Sequence, residues 1–168
     1  IQKDWSFNQH GPQMQFGNYG LAFADGVSFW ARVFEGTDYA FPEEQVEIIE
    51  NYILEGRCWP IWKGVMDPSA CGRQLHINGG RGKAYSCAVA LSNMAAMNRP
   101  RSGVFRHIAL QNLQPGLYEN ELVGARYYPR SDFGVYRAKD WYASVRMQSG
   151  RTIGYEFTNA ENLLAQFS

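Results

Sequence analysis

No apolar run in this 168-residue chain approaches the roughly 20 residues of a bilayer span, so no membrane segment is expected. Sixteen basic residues offset sixteen acidic ones, and the overall charge therefore names no partner. Cysteine is scarce: Cys58, Cys71 and Cys87 are odd in number and form no CxxC pair. One disulfide with a free thiol, or three buried thiols, would both fit, and the second is preferred. No GxSxG elbow is present, which removes support for a serine hydrolase. NGGRGKA (78–84) fails as a phosphate loop, which needs glycine where Ile77 stands and Ser or Thr where Ala84 stands. Cys71, His76 and Cys87 match no zinc spacing, and neither metal nor cofactor is expected. Neither a methionine nor a signal-type apolar region opens the chain at Ile1, so it reads as an inner segment of a longer protein, and the missing signal says nothing of compartment. Acid is also missing from the whole interval between Asp67 and Glu119, which holds Arg73, Arg81, Lys83, Arg99, Arg101 and Arg106 with His76 and His107. That predicts a basic patch able to focus its field on an anion. No DNA- or RNA-binding motif accompanies it, so nucleic acid is not the expected partner.

What is present suffices for a packed core: 45% apolar and 15% aromatic residues in about one domain's length. The stretch WSFNQHGPQMQFGNYGLA (5–22) stands out. Gly11, Pro12, Gly17 and Gly20 oppose regular helix and predict a shaped loop, the kind of element that carries functional groups. It brings His10 and Tyr19 together with amides at Asn8, Gln9, Gln13, Gln15 and Asn18. From spacing alone, His10 and Tyr19 could equally cap and pack a turn.

Helical spacing follows from Tyr19 to Phe34 through Leu21, Phe23, Val27, Phe29, Trp30 and Val33. FPEEQ (41–45) starts a second helix, with Pro42 in the first turn and two acids behind it, running to about Lys63 unless Pro60 ends or kinks it. These two helices form an antiparallel hairpin. Val65 to Gly82 is aperiodic and predicts a long loop. A third helix runs from about Lys83 to Met97, and Val104 to Leu113 fits no single pattern. Beyond QNLQPG (111–116), ELVGARYYP, DFGVYRAKDWYASVRMQS and RTIGYEF are β-branched, aromatic and partly alternating, as antiparallel strands are. The fold class is α+β, with helices over 1–113 and a sheet over 114–168.

SFNQHGPQMQFGNYG resembles the signature of polysaccharide lyase family 8, the bacterial hyaluronate, chondroitin AC and xanthan lyases, with its His and Tyr falling on His10 and Tyr19. MDPSACGRQ is similar to the loop that supplies the family's active-site Arg, here Arg73. RTIGYEFTNAENLL resembles the signature whose functional Glu and Asn fall on Glu156 and Asn159, and YYPRSDFGVYRAKDWYASVRMQSGR before it is also similar. The resemblance implies the C-terminal part of an incomplete α/α toroid of helical hairpins, followed by the first antiparallel strands of a β-sandwich domain. It also implies that earlier helices, an upstream catalytic Asn and most of the β region belong to the remainder of the parent chain. Where relatives often carry a second Arg, four positions after the first, this chain has Ile77 beside His76.

The implied activity is β-elimination on an acidic polysaccharide containing uronic acid, of chondroitin or hyaluronan type. Such chemistry needs the substrate carboxylate neutralised, a base at the C5 proton and an acid at the leaving oxygen. Tyr19 serves as base and acid if a cation such as Arg73 lowers its phenol from about 10. His10 would bind the carboxylate and stabilise the enolate-like intermediate. Glu156 would orient Arg73 or His10, and Asn159 would hold the site from the β side. An alternative makes His10 the base and Tyr19 only the acid. The rival to an enzyme is a non-catalytic acidic-glycan-binding relative. No membrane association is expected, and secretion or a periplasmic location follows from the resemblance alone.

Overall fold

The computed structural model describes residues 1–75, 79–119 and 122–156. Helix α1 (Tyr19–Phe34) is followed by α2 (Glu43–Asn51), which passes directly into a π-helical turn at Tyr52–Arg57. A short hairpin pairs β1 (Ile61–Trp62) with β2 (Val65–Met66), and a 3-10 turn covers Pro68–Ala70. Helices α3 (Gly79–Ala96) and α4 (Ser102–Leu113) come next. Strands β3 (Gly124–Tyr128), β4 (Phe133–Arg137) and β5 (Tyr142–Arg146) form an antiparallel meander in the order β3-β4-β5. The α+β order read from the sequence is the observed one.

Helix α3 is the centre of the helical layer, packing against α1, α4 and β2. Its buried residues, among them Ala84, Cys87, Ala88, Leu91, Met94 and Ala95, line one broad face, while Arg81, Tyr85, Val89, Ser92 and Ala96 face outward on the other. Helix α1 packs on it and buries only small residues, Gly20, Ala24, Ser28 and Ala31, with Asn93 Nδ2 of α3 donating to Ser28 Oγ (3.3 Å). The bulky side chains whose spacing announces α1 point the other way: Phe29 and Trp30 are about half exposed, at 48% and 49%. The helix was legible, but its buried face was the small-residue one.

Four boundaries differ from expectation. The second helix stops at Arg57, before Pro60, and the chain reverses through Lys63 and Gly64 at φ +47° and +73°, the left-handed pair that two-residue hairpins require. The stretch expected to be one long loop therefore contains the second strand of the hairpin, a 3-10 turn and the start of α3. Helix α3 begins four residues early, through the glycines. A side chain on Gly80 would lie 2.8 Å from Val65 and 2.9 Å from the Met66 carbonyl, so glycine there permits close packing on the hairpin rather than breaking the helix. The ambiguous segment 104–113 is helical. RTIGYEF is not a strand over its described part: Ile153 bridges Gln13, its N–H donates to the Pro12 carbonyl (3.0 Å), and the Glu156 N–H donates to the Gly72 carbonyl (2.8 Å).

One core joins helices and sheet. Phe16 packs edge-on against Tyr128, whose ring stacks on Phe133. The Tyr128 hydroxyl donates to the Glu55 (2.8 Å) and Gly56 (3.1 Å) carbonyls of the π turn. Carbonyls loosened by the π register thus find a partner in the sheet. All three cysteines are free and buried. Burial pushes the Cys71 thiol up to about 11. Among the described residues no helix is long and apolar enough to cross a membrane.

Candidate active site

The loop before α1 is held open by its own amides. Gln15 Nε2 donates to Gln13 Oε1 (2.5 Å), Gln13 Nε2 to the Gly154 carbonyl (2.8 Å), and Asn18 Nδ2 both to Gln15 Oε1 (2.9 Å) and to the Arg73 carbonyl (3.0 Å). Gln13 and Gln15 are buried, so these bonds meet the requirement that interior polar groups be paired. His10 sits at φ +60° and Gly11 at φ +87°. A left-handed non-glycine residue is costly, and such strain tends to gather at functional sites.

This loop, the Arg73 loop and the 151–156 segment converge on one cluster. Arg73 Nη2 donates to the Tyr19 hydroxyl at 2.6 Å, with its guanidinium 5.0 Å from the ring centroid. The His10 and Tyr19 rings meet edge-on at 4.9 Å. Glu156 spans the other two: Oε1 lies 3.0 Å from His10 Nδ1 and Oε2 3.7 Å from Arg73 Nη1. With Glu156 accepting at Nδ1, the neutral His10 ring carries its proton there, leaving Nε2 as the acceptor. A guanidinium against a phenol oxygen stabilises negative charge on that oxygen.

His10, Tyr19, Arg73 and Glu156 are therefore brought together, while Asn159, and His76 and Ile77 of the Arg73 loop, lie outside the described residues. Sequence reasoning named Lys83 only as one cation of the acid-free interval and not as a site residue, yet it lines the same cavity of about 530 Å³ as Tyr19, Arg73, Gln74 and Ser86. It stands in the glycine-rich segment set aside as a failed phosphate loop. No motif marked it, and only the early start of α3 places it here.

The acid-free interval does not make one basic patch. Arg99 is clasped by Glu43 (2.5 Å) and Glu50 (2.8 Å), and Arg101 lies 3.8 Å from Glu50 and 3.9 Å from Glu55. The acids absent locally in sequence arrive from α2 and the π turn, and among the described residues Arg73 and Lys83 are the cations of the interval that share the cavity with Tyr19. Among the described residues no group of three or more His, Cys, Asp or Glu could hold a metal ion.

Helical layer, antiparallel sheet and this cluster agree with one class of protein. The model of the polysaccharide lyase family 8 N-terminal alpha-helical domain matches residues 1–102, and that of the family's super-sandwich domain matches residues 123–168. The chain belongs to polysaccharide lyase family 8. It is 26% identical to the Chondroitinase-AC of Pedobacter heparinus over 171 aligned positions, which cover 99% of this chain and 24% of that protein. The chain thus spans about a quarter of the length of the curated relative it matches. A solved chondroitinase AC lyase superposes with a TM-score of 0.82 at 24% identity, over 99% of this chain and 25% of that one. A Paenibacillus xanthan lyase gives 0.81 at 18% identity, over 96% and 18%. At those identities the two solved structures speak for the fold.

Proposed function

We propose that this chain is an inner segment of a polysaccharide lyase that cleaves a uronic-acid-containing glycan by β-elimination. In this reading the helical catalytic domain ends near residue 113 and the β-sandwich domain starts after it. The observation that carries the reading is the 2.6 Å contact between Arg73 and the Tyr19 hydroxyl, with Glu156 bracing both Arg73 and His10. Tyr19 takes the C5 proton of the uronate, the electron pair forms the C4–C5 double bond, and the C4–oxygen bond breaks. The same phenol returns the proton to the departing oxygen. Arg73 stabilises the phenolate, and His10 binds the substrate carboxylate and the charge that spreads onto it. Asn159 completes the substrate side. Named relatives acting on chondroitin and xanthan favour an acidic glycan as partner, and secretion or a periplasmic location suits so large a substrate. A second assignment is favoured by the Glu156–Nδ1 contact: His10 Nε2 takes the proton and Tyr19 only delivers one.

The test is ultraviolet absorbance of unsaturated uronate with the full-length protein on chondroitin and hyaluronan. Wild type is expected to generate signal, and Tyr19→Phe to lose at least about 10³-fold, a scale set by losing both proton-transfer roles, each worth 10²–10⁴-fold. Binding without product in wild type would instead identify a non-catalytic glycan binder.

A further inference from the structure

Lys83 is an expensive residue where it stands. It is nine-tenths buried, and it lies five residues into α3, near the positive end of the helix dipole and in a helix with no acid in its first turn. Burying a cation there is unfavourable unless its donors are satisfied. Its ammonium donates to the Gly17 carbonyl (2.6 Å), to Asn18 Oδ1, and at 3.5 Å to Gln74 Oε1. Three N–H donors thus face three neutral oxygens of the two loops that carry Tyr19 and Arg73. The stem passes so close to Gly17 that a Cβ there would lie 3.3 Å from Lys83 Cδ.

An amide side chain can be turned over, exchanging its donor and acceptor ends. An ammonium at Oδ1 forbids that exchange for Asn18 and leaves Nδ2 facing the Gln15 side chain and the Arg73 carbonyl. Asn18 precedes Tyr19 directly, so one fixed amide ties the phenol's backbone to Arg73's backbone. We propose that Lys83 is the positioning residue of this site: by locking the Asn18 amide it holds the Arg73 guanidinium in register with the Tyr19 hydroxyl. With its donors already spent, Lys83 does not bind substrate. The proposal rests on the lyase reading for its kinetic consequence, but its geometric content stands apart.

The experiment uses the full-length protein as wild type, Lys83→Met, Asn18→Asp and the double variant, with Tyr Cζ carbon-13 labelling and Tyr19→Phe to assign the resonance. Asn18→Asp keeps an acceptor for Lys83 and removes the donor to Arg73, so it tests positioning without unburdening the buried charge. Both single variants are expected to move the Tyr19 Cζ resonance and to lower kcat about 10–100-fold with KM changed less than about threefold, an effect confined to transition-state stabilisation. The double variant should be no worse than the more damaging single one, because both act through one linkage. Should Lys83→Met fail to fold, Asn18→Asp alone decides the matter. Folded variants with an unmoved Tyr19 resonance and kcat within twofold of wild type would overturn the proposal, as would fully additive losses. If wild type forms no unsaturated product, the lyase reading fails, and the Tyr19 resonance still decides whether Lys83 positions the phenol.

Discussion

Glu156 stands 146 positions from His10 in sequence and 3.0 Å from it in space. Its carboxylate is shared between an imidazole and a guanidinium, so replacing its charge loosens both at once. Glu156→Gln in the full-length protein is expected to lower kcat about 10–100-fold, or roughly 1.4–2.7 kcal/mol of barrier, with the melting temperature little changed. A drop in melting temperature alone would assign Glu156 to stability instead. Gly17 makes a steric prediction. A Cβ there would lie 2.3 Å from Cys71 Sγ, closer than real contacts allow. Gly17→Ala should therefore cost about 1–3 kcal/mol through overpacking, read from a shift in the urea midpoint. His10, Tyr19, Arg73 and Glu156 could be found by their motifs. Asn18 was seen only as one of several loop amides, and Lys83 only as one cation of an acid-free interval, because its importance lies in what α3 brings it against.

Beside the shared apolar core, a polar hub ties the sheet to the segment that follows it. Asp132, buried where β4 begins, is at φ +48°, accepts at its carbonyl from the Met147 N–H (2.8 Å), and receives Ser149, Arg151 and Thr152 at its carboxylate. The Ser149 hydroxyl foremost, then Thr152 and Arg151, hold that carboxyl below its ordinary range. A carboxyl depressed in the folded state contributes stability above its unfolded value, about pH 4, and loses it as pH falls through the folded value. Asp132→Asn should therefore melt below wild type at neutral pH, with the gap closing below about pH 4. A gap constant with pH would point to shape rather than charge. The hub explains why the segment read as a further strand leaves the sheet: Asp132 turns the chain at Ser149–Thr152, and 153–156 runs on to dock against the loops of Pro12 and Gly72. Alternation in RTIGYEF signals extended backbone, and cannot say what that backbone pairs with.

For the molecule as a whole, two apolar surfaces face outward. Phe23, Phe29, Trp30 and Val33 line the outer side of α1, and Tyr127, Tyr136, Trp141 and Val145 lie exposed on the sheet region, with Tyr136 and Trp141 stacked at 4.9 Å. Patches of this kind are uncommon on isolated monomers. The chain produced as residues 1–168 alone is expected to bind a hydrophobic dye and to sediment with a concentration-dependent mass. The full-length protein should do neither at these faces. A monodisperse, dye-silent fragment would contradict this.

The sequence by itself determined the order of helices before strands, the start of the first two helices, the shaped loop between them and the amino terminus, and the identity of four clustered side chains. These follow from local causes: glycine and proline placement, hydrophobic period, and short signatures read along the chain. Only the tertiary structure decided which face of α1 is buried, that α3 begins within a glycine run, that the acids of α2 and the π turn neutralise Arg99 and Arg101, and that Lys83 enters the site. Each of these depends on partners tens of residues away. Burial and charge pairing are properties of neighbours in space, and a sequence window contains neighbours only along the chain.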